Sequence, residues 1–143
     1  MVNTVRRRYL EAEILNASPV KLVEILYRAA VESVADARRH LLRGDIRARS
    51  RSITKASSIV NELMLSLDHA RGGVISRGLV EIYAYIQTRL IEANSQQIDP
   101  PLAEVEQLLI VLQEAWRAVP GAHATPAPDA GAGAEYAPVS YAG

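Results

Sequence analysis

The sequence contains no cysteine among its 143 residues. Disulfides, zinc–cysteine sites and thiol nucleophiles are therefore excluded, as suits a reducing compartment. It also has no charge-free apolar stretch of about 18 residues, the length needed to cross a bilayer. The arginines at positions 6–8 lead into Tyr9-Leu10-Glu11 and not into an apolar segment, so no secretory signal is expected. We expect one cytoplasmic domain with no membrane insertion.

Patterns that carry catalysis are missing as well. There is no glycine-rich phosphate loop and no G-x-S-x-G nucleophile motif. His69 and His123 have no cysteine or paired acid nearby at metal-ligand spacing. Glu104 and Glu106 are two residues apart and point to different helix faces, so they do not form an acid–base pair. The sequence therefore predicts no enzyme activity, no metal and no cofactor.

What the chain does contain is four helical segments, and the boundaries of the first two are marked by capping residues. Ser18 is a good N-cap, and Pro19 follows at the first helical position, where its missing N–H has no cost. Gly44 suits the left-handed position that ends a helix, and Asp45 can cap the next one. A helix–turn–helix is expected here.

The third helix is expected after the Gly72-Gly73 break, and the fourth is expected to be capped and opened by Asp99-Pro100. Apolar residues recur in steps of three and four. The predicted stripes are Val23, Leu26, Ala30, Val34, Ala37 and Leu41; Ile46, Ile53, Ala56, Val60, Leu63 and Leu67; Leu79, Ile82, Tyr83, Ile86, Leu90 and Ala93; and Leu102, Val105, Leu109, Leu112 and Trp116. Short connections favour antiparallel neighbours, so the fold class is all-α, an antiparallel four-helix bundle over residues 18–118.

The two ends of the chain differ from the bundle. Residues 1–17 contain scattered apolar positions in a stretch too short for a stable independent helix. They are either a frayed terminus or a strap laid over an apolar surface. Residues 119–143 are rich in alanine, proline and glycine and are expected to form a disordered tail, because they lack the large apolar residues that offset the ordering entropy.

Two helices carry more apolar residues than one buried stripe requires. The first helix is apolar around most of its circumference over residues 20–31, and the fourth is apolar all round over residues 108–112. An exposed apolar patch on a soluble protein usually marks a binding site. The alternatives are that both helices are central in the packing or that a homodimer covers them.

Charge is balanced overall but unevenly distributed. Residues 1–55 carry 12 Arg or Lys against 6 Asp or Glu, whereas residues 56–143 carry 4 against 10. Six of the ten arginines in residues 1–55 crowd the first helix–turn–helix: Arg38, Arg39, Arg43, Arg47, Arg49 and Arg51. We interpret them first as a solvated basic end. Nucleic-acid binding is disfavoured because no aromatic residue is interleaved for base stacking, and an acidic protein partner remains an alternative.

Five motifs occur in an order that resembles the FliS family of flagellin export chaperones. They are ASPVKLVEILY at residues 17–27, GDI at 44–46, LD at 67–68 with GGVIS at 72–76, YAYIQTRLIEAN at 83–94 and EAWR at 114–117. The resemblance implies a cytoplasmic four-helix chaperone that wraps the C-terminal, otherwise disordered helices of flagellin, keeps flagellin from polymerising and delivers it to the flagellar type III export gate. Recognition would be helix-in-groove with coupled folding.

The resemblance also implies site residues. Tyr9 and Ile14 would belong to an N-terminal strap that covers part of the flagellin surface, and Tyr9 would also dock at the export gate. Leu22, Leu26 and Tyr27 would form the apolar face of the first helix. The third helix would contribute Tyr83, Tyr85, Ile86, Arg89, Leu90 and Asn94. On periodicity alone Tyr83, Ile86 and Leu90 are equally core positions, and Tyr85 and Arg89 flank them as a rim.

The chain departs from the family pattern on the first helix, where Arg28-Ala29 stands in place of the usual Asp-Gly. We expect this departure to bear on the choice of partner. Other partners, such as an anti-sigma factor, a co-chaperone or a second copy, stay open. The alternative function is a dimeric four-helix structural or regulatory adaptor unrelated to flagellin. A histidine phosphotransfer domain is a distant third, because Gly44 is expected to end the helix right after His40, and Asp45 adds negative charge there.

Overall fold

The computed structural model describes residues 18–67 and 69–118, and every regular element in them is an α-helix. The helices are α1 (Pro19–Leu42), α2 (Ile46–Leu65), α3 (His69–Gln96) and α4 (Pro100–Arg117). The predicted all-α class with four helices is confirmed. The predicted strap at residues 1–17 and tail at residues 119–143 lie outside the described residues.

The helices form a ring in which each packs mainly against its neighbours in the chain, and α4 closes the ring on α1. The connections are short, so adjacent helices run antiparallel. The α1–α2 pair has the most extensive contact, and the α2–α3 and α3–α4 pairs have the least. Small side chains let helix backbones approach closely, and α1 and α2 bury several of them. These small buried residues are Ala30, Ser33, Ala37, Ala48 and Ala56.

One apolar core fills the inside of this ring. All four helices contribute stripes at steps of three and four, as the sequence predicted for most positions. The larger buried members are Val23, Tyr27, Val34, Ile53, Val60, Leu63, Tyr83, Ile86, Leu90, Leu102, Val105, Leu109 and Trp116. Burying a side chain of this size contributes roughly 1.5–3 kcal/mol, so the core is the main source of stability.

Capping residues define both ends of α1. The Ser18 hydroxyl accepts a hydrogen bond from the backbone N–H three residues later at 3.2 Å, as a helix N-cap does. At the other end Gly44 has φ 70°, the left-handed conformation. Its N–H donates to the Leu41 carbonyl at 3.0 Å, and the Asp45 N–H donates to the His40 carbonyl at 3.0 Å. This pair of bonds is a Schellman motif, so the predicted stop at Gly44 is confirmed.

The start of α2 follows the sequence, whereas α3 begins at His69, before the Gly72-Gly73 break after which the sequence predicted it to start. The Asp45 carboxylate accepts from the Ala48 N–H at 3.1 Å and caps α2. Gly73 has non-helical angles, φ 52° and ψ −121°, within the span of α3. A residue with a side chain rarely adopts these angles, so the predicted break falls at this glycine.

The side-chain cap that the sequence predicted for α4 is not formed. Asp99 precedes α4, but its side chain makes no capping hydrogen bond. Both of its carboxylate oxygens instead accept from Arg38, at 2.9 Å from Nε and 3.0 Å from Nη2. Arg38 also donates from Nη1 to Glu106 at 2.6 Å, and these carboxylates raise its pKa. The prediction of an Asp99 cap is therefore wrong, because a bidentate ion pair between α1 and α4 occupies the carboxylate.

Arg49 contradicts its assignment to a solvated basic end, because its side chain is fully buried. Its guanidinium donates to the backbone carbonyls of Ala93 and Ile98 at 2.9 and 2.7 Å, and to the Gln97 side chain at 3.2 Å. These acceptors belong to the C-terminal end of α3, which carries the negative end of the helix dipole. Burial lowers the pKa of Arg49, and the charge of Asp99 opposes that shift. Arg49 thus ties α2 to the end of α3.

Two residues of the predicted stripes are exposed. Ile46 is 59% exposed because it is the first residue of α2 and lies beyond the core, so that Arg49 occupies the innermost position of that turn. Ile82 is 36% exposed because it flanks the buried row that contains Tyr83 and Ile86. Both lie on the surface.

The contrast between Ile86 and Ile91 provides a test of the core. Ile86 is fully buried and Ile91 is 69% exposed on the same helix. We expect Ile86→Asp to destabilise the protein by about 4 kcal/mol or more, because it buries an unpaired charge. Ile91→Asp should change the urea midpoint only slightly. Urea unfolding followed by circular dichroism measures both. Equal midpoints for the two variants would contradict the assignment of Ile86 to the core.

Candidate partner-binding groove

The site residues predicted from the sequence occupy different depths. Tyr9 and Ile14 lie outside the described residues. Four are buried in the core, namely Tyr27, Tyr83, Ile86 and Leu90. Four are half-buried, namely Leu22, Leu26, Arg89 and Asn94. Tyr85 is 45% exposed. The predicted set is therefore not one continuous surface, and its buried members shape the bundle from inside.

Tyr27 and Tyr83 meet in the middle of the core. Their hydroxyl oxygens are 2.5 Å apart and share a hydrogen bond between α1 and α3, which are not neighbours in the ring. Burial raises the pKa of both hydroxyls. Each hydroxyl satisfies the other, so the pair fixes the height of α3 against α1 without leaving a buried polar group unpaired.

Asn94 and Leu26 also have partners within the bundle. The Asn94 side-chain oxygen accepts from the Ser50 hydroxyl at 2.7 Å and joins α3 to α2. Leu26 packs against the core from its edge. Arg28 and Ala29, which replace the family's usual Asp-Gly pair, are both half-buried on α1.

Tyr85, Arg89 and Glu104 form a polar cluster that shows which side of α3 faces α4. The Tyr85 hydroxyl donates to Glu104 Oε1 at 2.6 Å, and Arg89 Nε donates to the same oxygen at 2.7 Å. Arg89 also pairs with Glu92. The hydrogen bond to the carboxylate raises the pKa of Tyr85, and the bonds from Tyr85 and Arg89 lower the pKa of Glu104. The cluster closes one end of the space between the two helices.

Beyond this cluster the α3–α4 surface is apolar and open. Ile82 precedes Tyr85 by three residues and Ile75 precedes it by ten, so both share its helix face. Leu108 and Val111 follow Glu104 by four and seven residues on α4. Because α3 and α4 are antiparallel, these two rows lie side by side. We call them the α3–α4 groove.

Exposure supports this description of the groove. Ile75 is 59% exposed, Ile82 36% and Val111 52%, while Leu108 is half-buried against the core. Gly78 lies between the two isoleucines, and a Cβ placed there would meet nothing within 4 Å. The groove is therefore a shallow apolar strip about 15 Å long from residue 75 to residue 85, or about three helical turns.

The sequence predicted an exposed apolar face on the first and fourth helices, and the described residues show a different arrangement. Within residues 20–31 of α1, every large apolar residue is buried or half-buried, and Ile25 is only 1% exposed. On α4 Leu109 is buried, whereas Val111 is exposed. The exposed apolar strip thus lies between α3 and α4. In the sequence, this strip can be identified from the apolar residue three positions before Tyr85 and the apolar residue seven positions after Glu104.

Comparison with known proteins places the chain in a family. The family model described as "Flagellar protein FliS" matches residues 1–123. The chain belongs to the FliS family. It is 36% identical over 111 residues to the flagellar secretion chaperone FliS of Salmonella typhimurium, covering 77% of this chain and 82% of the relative. The FliS resemblance noted in the sequence is confirmed.

Two further relatives are also flagellar secretion chaperones. The flagellar secretion chaperone FliSB of Pseudomonas aeruginosa is 34% identical over 107 residues, covering 75% of this chain and 85% of the relative. The flagellar secretion chaperone FliS of Campylobacter jejuni is 31% identical over 102 residues, covering 71% of this chain and 80% of the relative. Membership of the FliS family supports a role as an export chaperone in flagellum biogenesis.

In the part of the chain that the structure describes, none of the helices is long and apolar enough to cross a membrane. Among the side chains of residues 18–67 and 72–118, no three His, Asp or Glu are grouped so that they could hold a metal ion. His40 lies in the last turn of α1, where its carbonyl accepts the bond that ends the helix.

The buried tyrosine pair makes the stability of this FliS protein sensitive to alkali. The unfolded chain ionises its tyrosines near pH 10, whereas Tyr27 and Tyr83 keep their protons in the folded state. Stability contributed by the pair is complete below about pH 10 and is lost as the pH rises, by about 1.4 kcal/mol per pH unit for each hydroxyl.

The double variant Tyr27→Phe/Tyr83→Phe tests this expectation. We expect its urea midpoint near pH 7 to stay close to wild type, because both polar partners are removed together. At about pH 11 it should lose less stability than the wild type does, since two ionisable groups are gone. Equal losses of stability in the wild type and the double variant would show that the tyrosine pair is not the source of the sensitivity to alkali.

Proposed function

We propose that this protein is a cytoplasmic, non-enzymatic chaperone that binds the C-terminal segment of flagellin in the α3–α4 groove, prevents premature polymerisation and delivers flagellin to the flagellar export gate. Family membership supports the export role. The observation that carries the choice of surface is the exposed strip formed by Ile75, Ile82 and Val111. Exposed apolar patches of this kind usually mark binding sites.

The shape of the groove suits a helix. Its length of about 15 Å accommodates about three turns of an amphipathic helix with apolar residues at i, i+3 and i+7. Gly78 leaves room for close approach of such a helix near the middle. A segment that folds only on binding meets the ordering cost at that moment, which tempers affinity and favours release at the gate.

The polar cluster at the end of the groove would contact one end of the bound helix. Tyr85, Arg89 and Glu104 offer an aromatic ring and charged groups beside the apolar strip. Aromatic residues and arginines frequently dominate binding energy at interfaces. We infer that Tyr85 and Arg89 form the rim of the site, whereas Tyr27, Tyr83, Ile86 and Leu90 support it from the core.

The N-terminal segment has a proposed role that rests on the family resemblance. Residues 1–17 would compete with flagellin for apolar surface, and Tyr9 would contribute to docking at the export gate. Leu22 and Leu26 on α1 are half-buried and would lie along the path of this segment or of the bound chain. An anti-sigma factor, a co-chaperone or a second copy of this chain could use the same surface.

The matched pair Ile82→Asp and Ile91→Asp tests the groove. Both residues are exposed isoleucines of α3, at 36% and 69%, but only Ile82 lies in the groove. We expect Ile82→Asp to weaken binding of the flagellin C-terminal segment by about thirtyfold, roughly 2 kcal/mol, while Ile91→Asp binds like wild type. Isothermal titration calorimetry measures the affinities, and circular dichroism verifies folding.

Two results would reject this assignment. Wild-type affinity in a folded Ile82→Asp variant would show that flagellin does not use the groove. A dimer that dissociates in Ile82→Asp, in a protein that never binds flagellin, would show that a second copy covers the groove and that the adaptor function is correct. Size-exclusion chromatography with light scattering provides this second measurement.

A further inference from the structure

A second surface lies on the outer side of α2 and at the α1–α2 turn. Arg43, Arg47, Arg51 and Lys55 follow one another at intervals of four residues, and all four are exposed. Unlike Arg38, none of them forms an ion pair with the side chains that the structure describes, in residues 18–67 and 72–118. We call this row the α2 basic stripe.

The stripe is electrostatically unfavourable for the chain by itself. Like charges four residues apart on a helix repel each other. Arg47 and Arg51 also lie in the first two turns of α2, close to the positive end of the helix dipole, and the first turn contains no acidic residue. Asp45, which is the only acidic residue between Arg43 and Lys55 in the sequence, already accepts the capping bond from Ala48. Folding alone therefore gives no reason for this row of cations.

Exposed apolar side chains adjoin the stripe at the turn. Leu42 is 88% exposed and Ile46 is 59% exposed, on either side of Gly44. Together with the four cations they form a surface in which apolar contact and positive charge are combined. A purely solvated basic end would not need two large apolar residues at its tip.

We propose that the α2 basic stripe, with Leu42 and Ile46, docks an acidic amphipathic helix of another protein, separately from the α3–α4 groove. Arg47 and Lys55 are about 12 Å apart along α2, so carboxylates at i, i+4 and i+8 on a partner helix match the row over two turns. An apolar residue beside these carboxylates covers Ile46 and Leu42.

The chain itself does not supply this partner. Residues 1–17 carry three arginines against two glutamates, and residues 119–143 carry only two acids. Exposed carboxylates of the described residues that are outside ion pairs, such as Glu62, Glu81 and Glu114, are spread over three helices. A second copy therefore offers no matching acidic row. Nucleic acid would use the charges but not the apolar tip, and the stripe has no aromatic residue for base stacking.

The test uses the full-length protein and a helical peptide of about 15 residues that carries Glu at i, i+4 spacing with leucines beside them. The same peptide with Gln in place of Glu is the peptide control. Arg47→Gln/Arg51→Gln removes two charges from the stripe. Arg77→Gln/Arg117→Gln removes the same charge from exposed positions elsewhere and is the matched control. Fluorescence anisotropy measures binding at low salt and at about 0.15 M salt.

We expect the stripe variant to lose at least about tenfold in affinity for the Glu peptide and the matched control to lose less than about threefold. Ile46→Ser should also weaken binding while leaving the salt dependence unchanged. The thermal midpoint of the stripe variant should equal or exceed that of the wild type, because repulsion is removed.

Several outcomes would overturn the proposal. Equal losses of affinity in the two double variants would show that the peptide responds only to the net charge of the protein and not to the stripe. Equal binding of the Glu and Gln peptides would remove the electrostatic basis. Tighter binding of a short single-stranded RNA that the stripe variant abolishes would make the surface a nucleic-acid site. A lower thermal midpoint in the stripe variant would show that the cations stabilise the fold.

Discussion

The close packing of α1 on α2 is the constraint on which the rest of the bundle depends. Small buried side chains bring these two helices together over the most extensive contact in the ring. The other two helices are then positioned by specific polar ties to this pair. Arg49 binds the end of α3, Arg38 holds the start of α4, and the Tyr27–Tyr83 bond links α3 to α1 across the core. Helices α3 and α4 therefore need little contact with each other.

The limited contact between α3 and α4 leaves the α3–α4 groove open. If the two helices met along their whole length, Ile75, Ile82 and Val111 would be buried against each other. Ile75 and Val111 are instead more than half exposed and Ile82 is 36% exposed, although α3 and α4 still share the core and are joined by the cluster around Glu104. A bundle whose stability comes from the α1–α2 side can keep an apolar strip open on the opposite pair. This arrangement lets the bundle stay folded while the strip is open to solvent.

Much of the fold was predictable from the sequence because local rules determine it. Ser18, Gly44 and Asp45 act through bonds to residues three or four positions away, and the periodic stripes identify most of the core. Asp99 and Arg49 were mispredicted because their partners lie on other helices, and local spacing does not reveal such partners. The partners of Arg49 are mainly backbone carbonyl oxygens, which every residue has. No acidic residue at a fixed spacing therefore reveals in the sequence that this arginine is buried.

The site was predictable only in part for a related reason. The family resemblance identified Tyr85 and Arg89, which lie at the end of the groove, but it also included Tyr83, Ile86 and Leu90, which lie in the core. The motif at residues 83–94 identifies the helix but does not distinguish its buried face from its exposed face. Which face remains open is decided by how closely the neighbouring helix packs, and the apolar excess of α1 and α4 did not reveal that.

The most direct measurement of the central claim is methyl NMR of the complex with the flagellin C-terminal segment. Isoleucine methyl labelling places probes inside the groove, at Ile75 and Ile82, and outside it, at Ile46 and Ile91, all of them exposed in the free protein. We predict intermolecular contacts from the bound segment to the methyl groups of Ile75 and Ile82 and none to those of Ile46 and Ile91. Contacts to Ile91 or Ile46 with none to the groove methyls would contradict the account.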